Sequence, residues 1–177
     1  MSTLKLNLPT LLTLSRIVLI PVFVFSVYLH PIFGALVFSI ASLTDFLDGY
    51  FARRSGDITK FGIILDPIAD KFLVISALIV LVDMERLAAW IAIIIIVREF
   101  LVTGLRVVAL SKDIIIPAEL GGKIKTGVQI AAVLCLILNR SLFNINLYDI
   151  GIVLIWLAMV LSIVSGVNYT ISFGKRI

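Results

Sequence analysis

Apolar runs of about twenty residues, separated by short polar clusters, organise the whole chain. They fall at residues 10–30, 32–52, 61–82, 87–110, 123–142 and 147–173. A helix needs about 20 apolar residues to cross the hydrocarbon of a bilayer. Backbone groups in lipid must find partners within their own segment, so each run is expected to be a helix. The breaks carry turn chemistry: His30-Pro31, Ser55-Gly56-Asp57, Asp83 to Arg86, Ser111 to Gly122, and Arg140 to Asn146. The pattern predicts an all-α fold, a polytopic membrane protein built as a six-transmembrane-helix bundle. No Gly/Ser linker, low-complexity tract or repeat divides it, so residues 1–177 read as a single membrane domain.

Composition supports lipid as the solvent. Of the 177 residues 61% are hydrophobic, and the mean hydropathy is +1.19. Soluble domains sit near 45–50% apolar, and a chain this small has too much surface to hide the excess in a core. One cysteine, Cys135, excludes an intrachain disulfide and lies in the apolar run "AAVLCLIL", where it reads as a small hydrophobe. The formal charge of +4 comes with no basic stripe interleaved with aromatics, so nucleic acid is not an expected partner. The start "MSTLKLNLPTLLTLSR" reads as a short interfacial segment leading into the first span. "HPIFGA" is a poor cleavage site for a signal peptide.

Charge then orients the bundle. Arg53, Arg54 and Lys60 flank the second break, Lys112, Lys123 and Lys125 the fourth, and Lys5, Lys175 and Arg176 the ends. The other side holds Arg86 and Arg140, nine basic residues against two. The excess of Lys and Arg marks the cytoplasmic side. Both termini are therefore expected there, with a polar cavity open to the cytoplasm.

Four aspartates interrupt this pattern. Asp45 and Asp48 lie near the end of the second run, and Asp66 and Asp70 near the start of the third. A charge at the centre of a membrane helix costs roughly 2.5–3.5 kcal/mol on insertion scales, so four unpaired aspartates would cost about 10 kcal/mol. The offsets i,i+3 and i,i+4 put each pair on one helix face. A short turn makes the two helices antiparallel neighbours, with the carboxylates at similar depth. Carboxylates gathered this way repel unless cations lie among them. Mg²⁺ is held by one or two carboxylates plus substrate phosphates, and paired ions suit phosphate chemistry. The competing reading is a solvated network with Arg53, Arg54, Lys60 and Lys71. It balances charge without explaining matched spacings on two helices.

Gly49, Ala52 and Gly62 flank the aspartates and leave room for a ligand to approach the backbone, although small residues also serve plain helix packing. Arg53 offers a planar fork to phosphate, and Pro67 can free a carbonyl and kink its helix. The pattern Asp45-x2-Asp48-Gly49-x2-Ala52-Arg53-x8-Gly62-x3-Asp66-x3-Asp70 resembles, without a departure, the signature of the CDP-alcohol phosphatidyltransferase family. The resemblance implies a six-helix membrane enzyme, often a homodimer, that displaces CMP from a CDP-linked lipid with an alcohol, using Mg²⁺ or Mn²⁺. It implies that Asp45, Asp48 and Asp66 bind two metal ions. Asp70 corresponds to the proton acceptor and also reaches the second ion. Gly49, Arg53 and Thr59 would contact the CDP-lipid, with Ala52 and Gly62 giving it space. Which aspartate is the base does not follow from the residues alone.

Two further stretches carry charge into apolar surroundings: "REFLVTGLR", Arg98 to Arg106, and "GKIKT", Gly122 to Thr126. Arg98 and Arg106 are eight residues apart, roughly 80° around a helix, and can line one cavity. Buried arginines face a bundle interior and hold something anionic, so Arg98, Arg106, Lys123 and Lys125 are the expected site for a phosphate on the acceptor alcohol. The blander readings are an Arg98–Glu99 ion pair and lysines that merely flank a span. With "LPTLLTLSRIVLIPVFV", these stretches resemble a bacterial branch of the family. That branch joins CDP-diacylglycerol to sn-glycerol 3-phosphate, giving phosphatidylglycerol phosphate and CMP. The resemblance places Thr10 and Thr13 at the nucleotide end, although Thr10 stands where that branch usually has asparagine. Arg16 either anchors the first helix or reaches phosphate.

Other functions compete. Within the family the acceptor could be cardiolipin-type, inositol phosphate or serine. Intramembrane prenyltransferases also use aspartate clusters, but theirs are usually far apart, whereas eighteen residues separate Asp48 from Asp66. A divalent-ion carrier would continue polar residues across the membrane. Here "PIFGALVFSIA" and "FLVISALIVLV" turn apolar away from the aspartates.

Overall fold

A computed structural model describes the backbone of residues 8–55, 60–111, 120–142 and 145–174, and the side chains of 17–44, 71–109, 124–141 and 146–174. Six helices follow in order: α1 (Leu8–Leu29), α2 (Pro31–Ser55), α3 (Lys60–Asp83), α4 (Ala89–Ser111), α5 (Leu120–Leu138) and α6 (Leu147–Gly174). The all-α expectation holds, with helix starts and ends mostly within three residues of the apolar runs. The exception is the fifth. Its expected end at 142 is wrong: α5 stops at Leu138, because Asn139 takes a left-handed φ of 40°. Asparagine tolerates that conformation and ends helices with it. Ser141–Leu142 (β1) then pairs antiparallel with Ile145–Asn146 (β2) in a two-rung ribbon. Asn146 caps α6, its Oδ1 accepting from the Tyr148 N–H at 3.1 Å.

The chain divides into two compact units, Met1–Ala77 and Leu78–Ile177. In the first, α1 and α2 form a hairpin about His30. Pro31 opens α2, where a missing N–H does no harm, and His30 Nδ1 accepts from the Ile32 N–H at 3.2 Å. The helices touch where Gly34 meets Val27: a Cβ on Gly34 would fall 2.2 Å from Val27 Cγ2. Phe23 and Phe38, both fully buried, stack tilted at 5.5 Å one turn away.

In the second unit α6 packs against both α4 and α5. Trp90 meets Trp156 edge-on at 5.2 Å, Arg98 reaches Ser162 and Ser165, and Arg106 lies over Tyr169. The three contacts climb both helices together, so α4 and α6 run parallel. α5 returns between them in sequence and runs antiparallel to α6, with Gly151 seated against Leu136.

The outer faces are apolar. Phe25, Leu29, Ile93 and Val153 are all exposed, Leu29 at 83%. Helix α6 has the length and apolarity to cross a bilayer, yet only 33% of its most apolar stretch is buried, unlike the core helix of a soluble protein. The described apolar parts of α1, α2 and α5 are Ile17–Leu29, Pro31–Thr44 and Ile124–Leu138. This surface is one that lipid solvates.

Candidate functional site

The four aspartates lie on helical backbone. Asp45 and Asp48 sit ten and seven residues before the end of α2 at Ser55, and Asp66 and Asp70 sit six and ten after the start of α3 at Lys60. At ~1.5 Å per residue these are matched distances along the two helices, about 10 and about 15 Å from the short connection that joins them. Each pair keeps its one-turn spacing. The carboxylates themselves lie outside the described side chains, as do Gly49, Ala52, Arg53 and Gly62 in the same helices, and Thr10, Thr13 and Arg16 in α1. Thr59 falls in the connection, also outside the described residues. Among the described residues no group of His, Cys, Asp or Glu could hold a metal ion.

The second charged region is described in atomic detail. Glu99, near the middle of α4, is its hub. Glu99 Oε1 accepts from Arg98 Nη1 at 3.0 Å and from the ammonium of Lys125 in α5. Arg98 Nε donates to the Ser162 carbonyl at 2.7 Å, and Nη2 to Ser165 Oγ at 2.8 Å. That carbonyl is already part of helix α6, so the guanidinium shares an acceptor with the helix. Gly166 makes this possible: a Cβ there would lie 3.1 Å from Arg98 Cγ and Nε. Lys125 is only 4% exposed. A charge so buried requires a partner, and Glu99 provides one.

Arg106, two turns beyond Arg98 in α4, is exposed, and its guanidinium stands 5.9 Å from the Tyr169 ring centre. Both arginines therefore turn to α6. The ion pair of Arg98 with Glu99 is present, and Lys125 is buried and paired rather than a flanking charge. Lys123, in the first turn of α5, lies outside the described side chains.

Four polar residues were not singled out in the sequence: Gln129, Ser162, Ser165 and Tyr169. The signal was there. Gln129 lies four residues after Lys125, and positions 162, 165 and 169 recur at helical spacing through an apolar helix. Gln129 Nε2, Ser162 Oγ and Tyr169 Oη are buried and have no hydrogen-bond partner among the described residues. The buried stripe of α5 is thus polar at Lys125 and Gln129 and apolar from Ala132 to Ile137.

Helices with exposed apolar surfaces, four aspartates in the joined halves of two of them, and a half-buried Arg98–Glu99–Lys125 ion-pair cluster define a membrane-embedded protein with charge gathered among its helices. The sequence profile of the CDP-alcohol phosphatidyltransferase family matches residues 6–164, and the chain belongs to that family. It is 41% identical to the CDP-diacylglycerol–glycerol-3-phosphate 3-phosphatidyltransferase of Bacillus subtilis, over 92% of this chain and 93% of that one. Proteins of the same description from Rickettsia bellii and Haemophilus influenzae are each 39% identical, over 92% and 93% of this chain and 93% and 92% of theirs.

Proposed function

We infer that this chain is a bacterial membrane enzyme that transfers the phosphatidyl group of CDP-diacylglycerol to sn-glycerol 3-phosphate. The products are phosphatidylglycerol phosphate and CMP. The observation that carries the reading is end-to-end similarity near 40% to relatives from distant bacteria that share one acceptor in their description. Arg98 and Lys125, gathered about Glu99, support it, with Arg106 further along α4, because an acceptor bearing a phosphate dianion needs several cations.

In this mechanism Asp45, Asp48, Asp66 and Asp70 hold divalent cations, Mg²⁺ or Mn²⁺. Four hard carboxylate oxygen donors on two successive helices, at matched distances from their connection, fit such ions. When bound, two ions neutralise the diphosphate and the charge that develops on departing CMP. Arg53, Thr59 and the small residues Gly49, Ala52 and Gly62 receive the CDP-lipid, with Thr10 and Thr13 toward its nucleotide. Asp70 takes the proton of the acceptor hydroxyl. The hydroxyl oxygen bonds to the phosphatidyl phosphorus as the bond from that phosphorus to the bridging oxygen of CMP breaks. Arg98, Arg106, Lys123 and Lys125 hold the acceptor's phosphate.

The six helices span the cytoplasmic membrane with both termini and the aspartate ends of α2 and α3 on the cytoplasmic side, and the enzyme acts as a homodimer. Purified protein in mixed micelles, given CDP-diacylglycerol and a panel of alcohols, tests the reaction. CMP release with glycerol 3-phosphate is the expected result. Release only with serine or inositol phosphate would end the acceptor assignment.

A further inference from the structure

The Glu99 carboxylate occupies cations that the proposed reaction requires for phosphate. The two cations it touches differ in chemistry. Arg98 is fixed by the Ser162 carbonyl, by Ser165 Oγ and by the close backbone of Gly166. Lys125 carries its ammonium on a flexible four-carbon stem, as a compact charge with three donors rather than a planar fork. It is directed at Glu99 and is almost wholly buried. Arg98 meets Ser162 and Ser165 of α6, and Arg106 lies over Tyr169 further along the same two helices.

We propose that Glu99 is a specificity-determining residue, an internal competitor for Lys125 that a phosphate dianion displaces and an uncharged alcohol does not. The proposal rests on the acceptor assignment above and deepens it. A carboxylate offers one negative charge, and the phosphate of the acceptor nearly two, with three oxygens for the donors. In a site screened from water the contest for an ammonium is settled by charge more sharply than in bulk solvent. Glu99 thereby sets a threshold. An alcohol without a phosphate leaves Lys125 on Glu99, whereas glycerol 3-phosphate recruits it.

The test is Glu99→Gln in the full-length protein. Glutamine keeps the shape and an accepting oxygen and removes the competing charge. The KM for glycerol 3-phosphate is expected to fall at least threefold, and the inhibition constant of inorganic phosphate against it to fall in parallel. The KM for CDP-diacylglycerol serves as the internal reference and should stay within twofold. Tighter acceptor binding is not something a damaged fold produces, so the direction separates this role from a structural one. A KM for glycerol 3-phosphate that rises or stays level overturns the proposal. If Glu99→Gln does not accumulate, Glu99→Asp is read instead. Its carboxylate falls one carbon short of Lys125, and the KM should fall about twofold; a rise or no change there is equally fatal. Wild-type protein that releases no CMP with glycerol 3-phosphate would instead overturn the acceptor assignment, and this inference with it.

Discussion

Arg86 caps helix α5 at Ile137, its Nη1 donating to the Ile137 carbonyl at 2.6 Å and to that of Leu136 at 3.2 Å. The last carbonyls of a helix have no intrahelical donor, and at a membrane boundary water is an unreliable substitute. A cation there also meets the negative end of the helix dipole. Burial lowers the pKa of Arg86 from its ordinary value, yet an arginine stays charged. Its neighbour Glu85 takes a φ of 56°, part of the tight turn between α3 and α4 that presents Arg86. Arg86→Met should therefore lower stability by about 1–3 kcal/mol, the range for stranding buried hydrogen-bond partners. Thermal unfolding in detergent measures it, and an unchanged midpoint would show the cap to be dispensable.

Gly34 sets the approach of α1 to α2. A methyl there would sit 2.2 Å from Val27 Cγ2 and 2.7 Å from Val27 Cα. The first contact can be relieved by trimming the side chain, the second only by moving backbone. Gly34→Ala should destabilise the hairpin by about 1–3 kcal/mol, the usual penalty for overpacking. Adding Val27→Ala should restore only part of that loss. Full recovery in the double variant would mean that the backbones have more room than the structure gives them.

Hydropathy located six helices because lipid imposes one rule on every span, but it could not place the end of α5. Ser141 and Leu142 continue the apolar run on paper, while the helix is ended three residues earlier by the backbone angle of Asn139. The aspartate motif was legible as spacing, since i,i+3 and i,i+4 are local quantities. The partners of Arg98 were not. Its shortest hydrogen bond goes to a main-chain carbonyl 64 residues away, and no side-chain pattern announces a carbonyl. Glu99 was visible as a neighbour of Arg98, but its second partner, Lys125, depends on how α4 meets α5.

Replacing Arg98 by lysine should separate charge from geometry. Lysine keeps the positive charge but cannot span Glu99, the Ser162 carbonyl and Ser165 Oγ together. Losing charged hydrogen bonds worth about 1.5–3 kcal/mol should reduce kcat/KM for glycerol 3-phosphate roughly tenfold or more. The KM for CDP-diacylglycerol should change little. Equal losses for both substrates would assign Arg98 to the fold alone.

Asp70 should act as base as well as ligand, and two substitutions set it apart from the other three carboxylates. Chelation of divalent ions should abolish CMP release, with Mg²⁺ or Mn²⁺ restoring it. Asp48→Asn removes a ligand charge, so its activity should require far more Mn²⁺ than wild type and recover in part as Mn²⁺ is raised. Asp70→Asn removes the proton acceptor instead. Metal binding, read by titration of Mn²⁺ with electron paramagnetic resonance, should survive, because three carboxylates remain. Turnover should fall by roughly 10²–10⁴, the usual contribution of a positioned general base, and added Mn²⁺ should not rescue it. Wild-type rates in Asp70→Asn would remove it as the base. A loss of Mn²⁺ affinity in Asp70→Asn as deep as in Asp48→Asn, with turnover recovering as Mn²⁺ is raised, would make Asp70 a ligand alone and leave the acceptor hydroxyl to be deprotonated by another group.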